Sequence, residues 1–194
     1  MNTTQRLWLK ALSLVVIFGM PTAQADIQVL SLNDYQVNQQ LVLDATIDIN
    51  LAPLIIEAVN HEVPLTFTTE IELNERYSLL GIDLSRNRVK ITYESQVNYF
   101  GFNKIYVISN KRNQKVQSFS SLSEALKTMG TLSSFYLANL ADLHPNTLYT
   151  IKIRVALNQW KLPTPLILDA LWKSDWQLDS GWHQTQIQSP KSWQ

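Results

Sequence analysis

His61, His144 and His183 are the first residues to test for chemistry, and their spacing does not favour a metal site. No two stand at i, i+2 or i, i+4, and the chain has no Cys to supply thiolates. Glu57 and His61 lie one helical turn apart, which more simply makes a solvated pair than two ligands. A serine hydrolase is usually announced by a Gly-x-Ser-x-Gly turn. With only five glycines the chain has neither that turn nor a glycine-rich phosphate loop. Asp44 with Asp48, and Glu70 with Glu72, fall at even spacing, so each pair shares one face of a strand. Paired carboxylates can work across a glycosidic bond, but on a wet strand face they mainly solubilise. No catalytic residue, cofactor or metal ligand is assigned on these grounds.

The densest aromatic signal is near the C-terminus. Trp160, Trp172, Trp176 and Trp182 lie within 23 residues of one another, beside Pro163, Pro165 and Asp175. Exposed Trp stacks on sugars or anchors a partner; buried Trp plugs the end of a fold. Trp176, Leu178, Ser180 and Trp182 repeat at every second residue, so an extended chain would point all four one way. We expect a core-sealing final strand there. Pro163 and Pro165 are expected to open an edge strand, because Pro cannot donate to a ladder.

The elements that would carry these residues are mostly strands. Residues 41–51 are apolar at every odd position, with Asp44, Thr46, Asp48 and Asn50 between them, the signature of a half-buried strand. Residues 65–73, 89–94 and 149–157 repeat the pattern; 27–32, 104–109, 116–119 and 166–172 are weaker strand candidates. Two short helices interrupt them. Pro53 suits a first turn ahead of Leu54, Ile55, Ala58 and Val59. Ser121 with Glu124 reads as a capping box, closed by Gly130. Tyr149, after Leu143-His-Pro-Asn-Thr-Leu, resembles the tyrosine corner of fibronectin III-like sandwiches, where a buried phenol bonds back to the backbone. The expected fold is mainly β: a single antiparallel immunoglobulin- or fibronectin III-like β-sandwich with two short helices.

Length and composition bound the rest. The chain has 194 residues with 16 basic and 16 acidic side chains, 45% apolar, enough for one domain with a real core. Balanced charge gives no reason to expect nucleic acid as a partner. Arg6 and Lys10, an apolar run over residues 11–20, Pro21, and the small residues Ala23 and Ala25 form a secretory leader, with cleavage expected after Ala25. The run is too short to span a bilayer. The domains expected are therefore a signal peptide over 1–25 and one β-sandwich over 26–194, exported to the periplasm with no transmembrane span in the mature chain.

Several segments together resemble a bacterial family of unknown function, DUF4390. They are residues 41–64, the Ser-Leu-Ser-Glu-Ala-Leu helix, the Leu-His-Pro-Asn-Thr-Leu-Tyr turn, and above all the tail from Leu162-Pro163-x-Pro165 through Ser174-Asp175-Trp176 to Trp182. The resemblance implies an exported proteobacterial protein with no assigned activity, so no catalytic residue carries over. Where it leads one to expect Leu-Asp-x-Ser, this chain has Leu157-Asn158-Gln159-Trp160. The function expected is non-enzymatic binding of another envelope protein or a sensor ectodomain. A glycan or small-ligand binder using the Trp cluster is the second reading, and a carboxylate-based hydrolase the third.

Overall fold

A computed structural model describes residues 26–188; the expected leader lies outside the described residues. The chain forms two antiparallel sheets with three α-helices between strands. β1 (Asp26–Val37) and β2 (Gln40–Asn50) make a hairpin, and α1 (Pro53–Asn60) follows behind its expected first-turn Pro. β3 (Leu65–Leu79) and β4 (Ile82–Phe100) form a long hairpin, followed by β5 (Ile105–Asn110) and β6 (Lys115–Phe119). α2 (Leu122–Met129) is capped by the Ser121 hydroxyl, which accepts the Glu124 N–H at 3.2 Å. β7 (Thr131–Asn139), β8 (Leu148–Leu157), α3 (Thr164–Trp172) and β9 (His183–Gln188) complete the chain.

One sheet runs β1-β2-β7, the other β6-β5-β4-β3-β8-β9. The odd-numbered residues that alternate in the sequence point inward from both sheets. Leu43 and Ile47 from one, and Phe67, Ile71, Ile151 and Ile153 from the other, are buried in a single cluster. The outer face of the larger sheet carries an ionic lattice. Lys90 bridges to Glu72 at 3.4 Å, Arg154 to Glu70 at 3.6 Å and Lys111 to Glu94 at 2.7 Å.

Three local expectations need correction. Residues 166–172 are helix, not strand, so the helices number three rather than two. Pro163 and Pro165 start that helix instead of an edge strand: Pro163 is its cap and Pro165 sits in its first turn, where the missing N–H costs nothing. Ser174–Trp176 is a 3-10 turn, and from 177 to 182 the chain pairs with β8 only through an isolated bridge at Asp179↔Ala156, so the four-residue extended face does not form. Gly130 closes α2 as expected, at φ −80°, and also allows a close approach, since a Cβ there would meet the Ile47 carbonyl oxygen at 2.1 Å.

β7 and β9 gave no alternating signal in the sequence. In β7 the pairing with β2 slips between Leu43 and Ala45, so Leu132 and Phe135 fall out of period-two phase. β9 is His-Gln-Thr-Gln-Ile-Gln, in which Ile187 alone is a buried apolar side chain.

Candidate functional site

The C-terminal segment contains every tryptophan singled out above, and the fold separates them. Trp176 is 1% exposed and packs within the core cluster. Trp160, on the 3-10 turn Gln159–Lys161, is 72% exposed; Trp172, at the end of α3, is 87% exposed; Trp182, in the loop before β9, is 42% exposed. Pro163 and Pro165 are exposed and Asp175 is half-buried. Trp176 shares burial with Leu178, and neither shares it with Trp182.

α3 itself is apolar on both sides. Leu166, Ile167 and Ala170 face the protein. Leu168 and Trp172, one turn apart, lie on the opposite side with Pro165, and Leu168 is 65% exposed. Leu171 flanks them and is also exposed. A helix that is hydrophobic all round belongs in an interior; this one is covered on half its circumference. Asp169 and Lys173 form an i,i+4 ion pair at 2.9 Å on its outer side.

A second apolar surface lies at the far end of the β3–β4 pair. β3 pairs with β8 only as far as Glu75↔Tyr149, and β5 joins β4 only from Ser95 onward. Residues 76–85 are therefore a free-standing two-stranded hairpin. Its two-residue turn has Leu80 and Gly81 both at positive φ. The cross-strand pairs Tyr77↔Leu84 and Leu79↔Ile82 put four apolar side chains on one face, all exposed. Leu80 sits at the tip, 95% exposed. This hairpin and α3 lie at opposite ends of β3, because α3 follows the end of β8 that pairs with Phe67.

Below the hairpin sits a buried carboxylate that the sequence reading did not single out. Glu75 accepts hydrogen bonds from Arg86 Nη2 at 2.7 Å and contacts His144 Nδ1 at 2.7 Å; Arg88 Nε approaches to 3.5 Å. Burial pushes its carboxyl up, but the Arg86 and His144 contacts outweigh that and hold it below the usual carboxylate range. The arrangement anchors the base of the hairpin to the turn before β8. Beside it the buried Tyr149 hydroxyl accepts the backbone N–H of His144 at 2.7 Å. This is where the chain passes from the three-stranded to the six-stranded sheet.

The paired carboxylates are engaged in structure. Glu70 and Glu72 belong to the ionic lattice; Asp44 accepts the Ser134 N–H at 2.7 Å and the Tyr35 hydroxyl at 3.0 Å. Asp48 accepts from Asn50 at 2.8 Å. Among the described residues no three His, Asp or Glu side chains gather as a metal site, and no helix is long and apolar enough to cross a membrane.

Set against known families, the chain matches the family described as Domain of unknown function (DUF4390) over residues 24–186. The chain belongs to DUF4390. No curated protein and no solved structure matches it. The DUF4390 match spans both sheets, α3 and the hairpin, so each surface described here lies inside the matched region.

Proposed function

We propose that this DUF4390 protein is an exported, non-catalytic binding module that grips another envelope protein, such as a sensor ectodomain, through the outer face of α3. The observation that carries the proposal is the exposure of Leu168, Leu171 and Trp172 on a helix whose other face is already packed. Apolar patches of this kind on a soluble domain mark partner sites, and Trp is among the residues that dominate interface energies. Trp160 lies on the turn that packs beside α3 and enlarges the same end of the molecule. The leader pattern of residues 1–25 supports export to the periplasm. The strand order supports an immunoglobulin-like assignment, with β1-β2-β7 in the A-B-E places and β3-β8-β9 in the C-F-G places.

A photo-crosslinking amino acid at position 168, and separately at Lys152 on the far sheet face, tests this in cells. A single discrete adduct from position 168 and none from 152 is the expected result. Trp172→Ala should abolish that adduct and leave the melting temperature within a few degrees of wild type, as surface changes generally do. Equal labelling from both positions, or an adduct that survives Trp172→Ala, overturns the reading.

A further inference from the structure

We infer that the cleft between β7 and the β5–β6 hairpin is a binding site for an acidic saccharide, a ligand and a place distinct from the α3 surface. The larger sheet extends beyond the smaller one at this side. Phe135 of β7 stacks on Tyr93 of β4 at 5.9 Å between ring centres, and β5 and β6 continue outward from there. Three cross-strand rungs make up the inner face of β4-β5-β6. Tyr99–Tyr106–Phe119 packs against the core, with the Tyr106 hydroxyl donating to Asn60 at 2.7 Å. Val97–Ile108–Gln117 is buried at its first two positions. The third rung, Ser95–Asn110–Lys115, is entirely polar on a face that is otherwise core. Ser95 is buried, Asn110 half-buried and Lys115 exposed, and the rung opens into a cleft of about 580 Å3. That is within the size range of small-ligand pockets.

Charge selects the kind of ligand. Arg112 and Lys115 both line the cleft, no Asp or Glu lines it, and neither cation forms an ion pair among the described residues. Most other cations of the larger sheet are paired, Arg86 and Arg88 with Glu75, Lys90 with Glu72 and Arg154 with Asp179. Arg112 is held in place: its guanidinium lies 3.6 Å from the Phe135 ring centre, and its backbone N–H is accepted by Asn110 Oδ1 at 2.9 Å. One face of the guanidinium is thus stacked and its Nη2 donates to the Tyr136 carbonyl oxygen at 3.5 Å, which leaves Nε and Nη1 to meet a carboxylate. Asn113, Gln117, Thr128 and Ser133 add neutral donors and acceptors, which match a hydroxyl-rich body better than an apolar one.

The opposite wall is a built feature. Ser134 takes the left-handed conformation at φ 48°, unusual for a residue with a side chain. Asp44 holds its N–H and the Tyr35 hydroxyl lies 2.8 Å from its Oγ. This bulge brings Ser133 and Phe135 to the cleft, and bulges of this sort re-aim side chains beside sites.

The test titrates 15N-labelled protein with digalacturonic acid, with maltose, and with inorganic phosphate. The expected result is saturable shifts of the Arg112, Lys115 and Ser133 amides with the acidic disaccharide. Maltose should bind about tenfold or more weakly, and phosphate should not saturate. Arg112→Gln should weaken digalacturonate about tenfold, and Lys115→Gln several-fold, each with an unchanged melting temperature. No saturable shift at these amides, maltose binding as tightly as the acid, or phosphate binding as tightly as the acid would each overturn the assignment. The last would leave a bare oxyanion site. Loss of binding in these variants with the α3 adduct intact separates this site from the protein-docking one.

Discussion

At the scale of single residues, burial divides side chains that looked alike in sequence. Tyr149 is fully buried, and its hydroxyl is the partner of the His144 N–H. Tyr149→Phe should therefore cost roughly 1–3 kcal/mol, because that N–H is left without an acceptor. Denaturant unfolding measures it; a change near zero would mean another group takes the N–H. Trp176→Ala should cost roughly 3–5 kcal/mol through the cavity it leaves. Trp176→Phe should cost much less, because the indole N–H it removes has no hydrogen-bond partner. Trp172→Ala should change stability by less than about 0.5 kcal/mol. An equal loss for Trp172 and Trp176 would contradict the separation of the two in the fold. Glu75 gives a pH dependence of definite sign. Its carboxyl titrates lower in the folded protein than in the unfolded chain, so the unfolded state binds the proton first as pH falls. The stability Glu75 contributes is present above the ordinary carboxylate range and is lost through and below it. Glu94 and Asp179, held down by Lys111 and Arg154, act in the same direction. Melting temperature against pH from 7 to 3 should fall, and Glu75→Gln should begin lower at pH 7 and fall less steeply.

At the scale of elements, α2 shows how a helix end is decided by what it touches. The Gly130 carbonyl accepts the Ile47 N–H at 2.8 Å, and the backbones of α2 and β2 meet with no room for a methyl group. Gly130→Ala should destabilise by roughly 1–3 kcal/mol, an overpacking cost rather than a loss of left-handed freedom. Calorimetry of the single variant checks the size. A neutral result would mean that β2 shifts to make room. The β3–β4 hairpin was half legible: residues 65–73 and 89–94 alternate cleanly. From Arg76 outward the alternation continues, but with no second sheet over the apolar face, so periodicity alone could not say whether Tyr77 and Leu79 were buried. α3 departs from the expected strand because residues 166–172 form a short apolar run, for which period two and period 3.6 cannot be told apart. Pro165 was the available signal, since Pro in a first turn starts a helix.

Over the whole molecule, two exposed apolar surfaces stand at opposite ends of β3, with a polar, cationic cleft at the side where the larger sheet outruns the smaller. The alternation of residues 41–51, 65–73 and 149–157 settled in advance that the fold would be two-faced antiparallel sheets, because burial on a strand follows a two-residue period that any local stretch displays. The capping residues of α2 and the Pro-Asn turn before Tyr149 were equally local. Strand order, the uneven widths of the sheets, and the cleft that results depend on which strands pair across long stretches of chain. Ser95, Asn110 and Lys115 are 20 residues apart at their extremes and come together only through β4-β5-β6 register. The fate of each tryptophan was likewise left to tertiary packing. Trp176 and Trp172 are chemically the same side chain, and only the presence or absence of neighbouring elements makes one a core residue and the other a surface one.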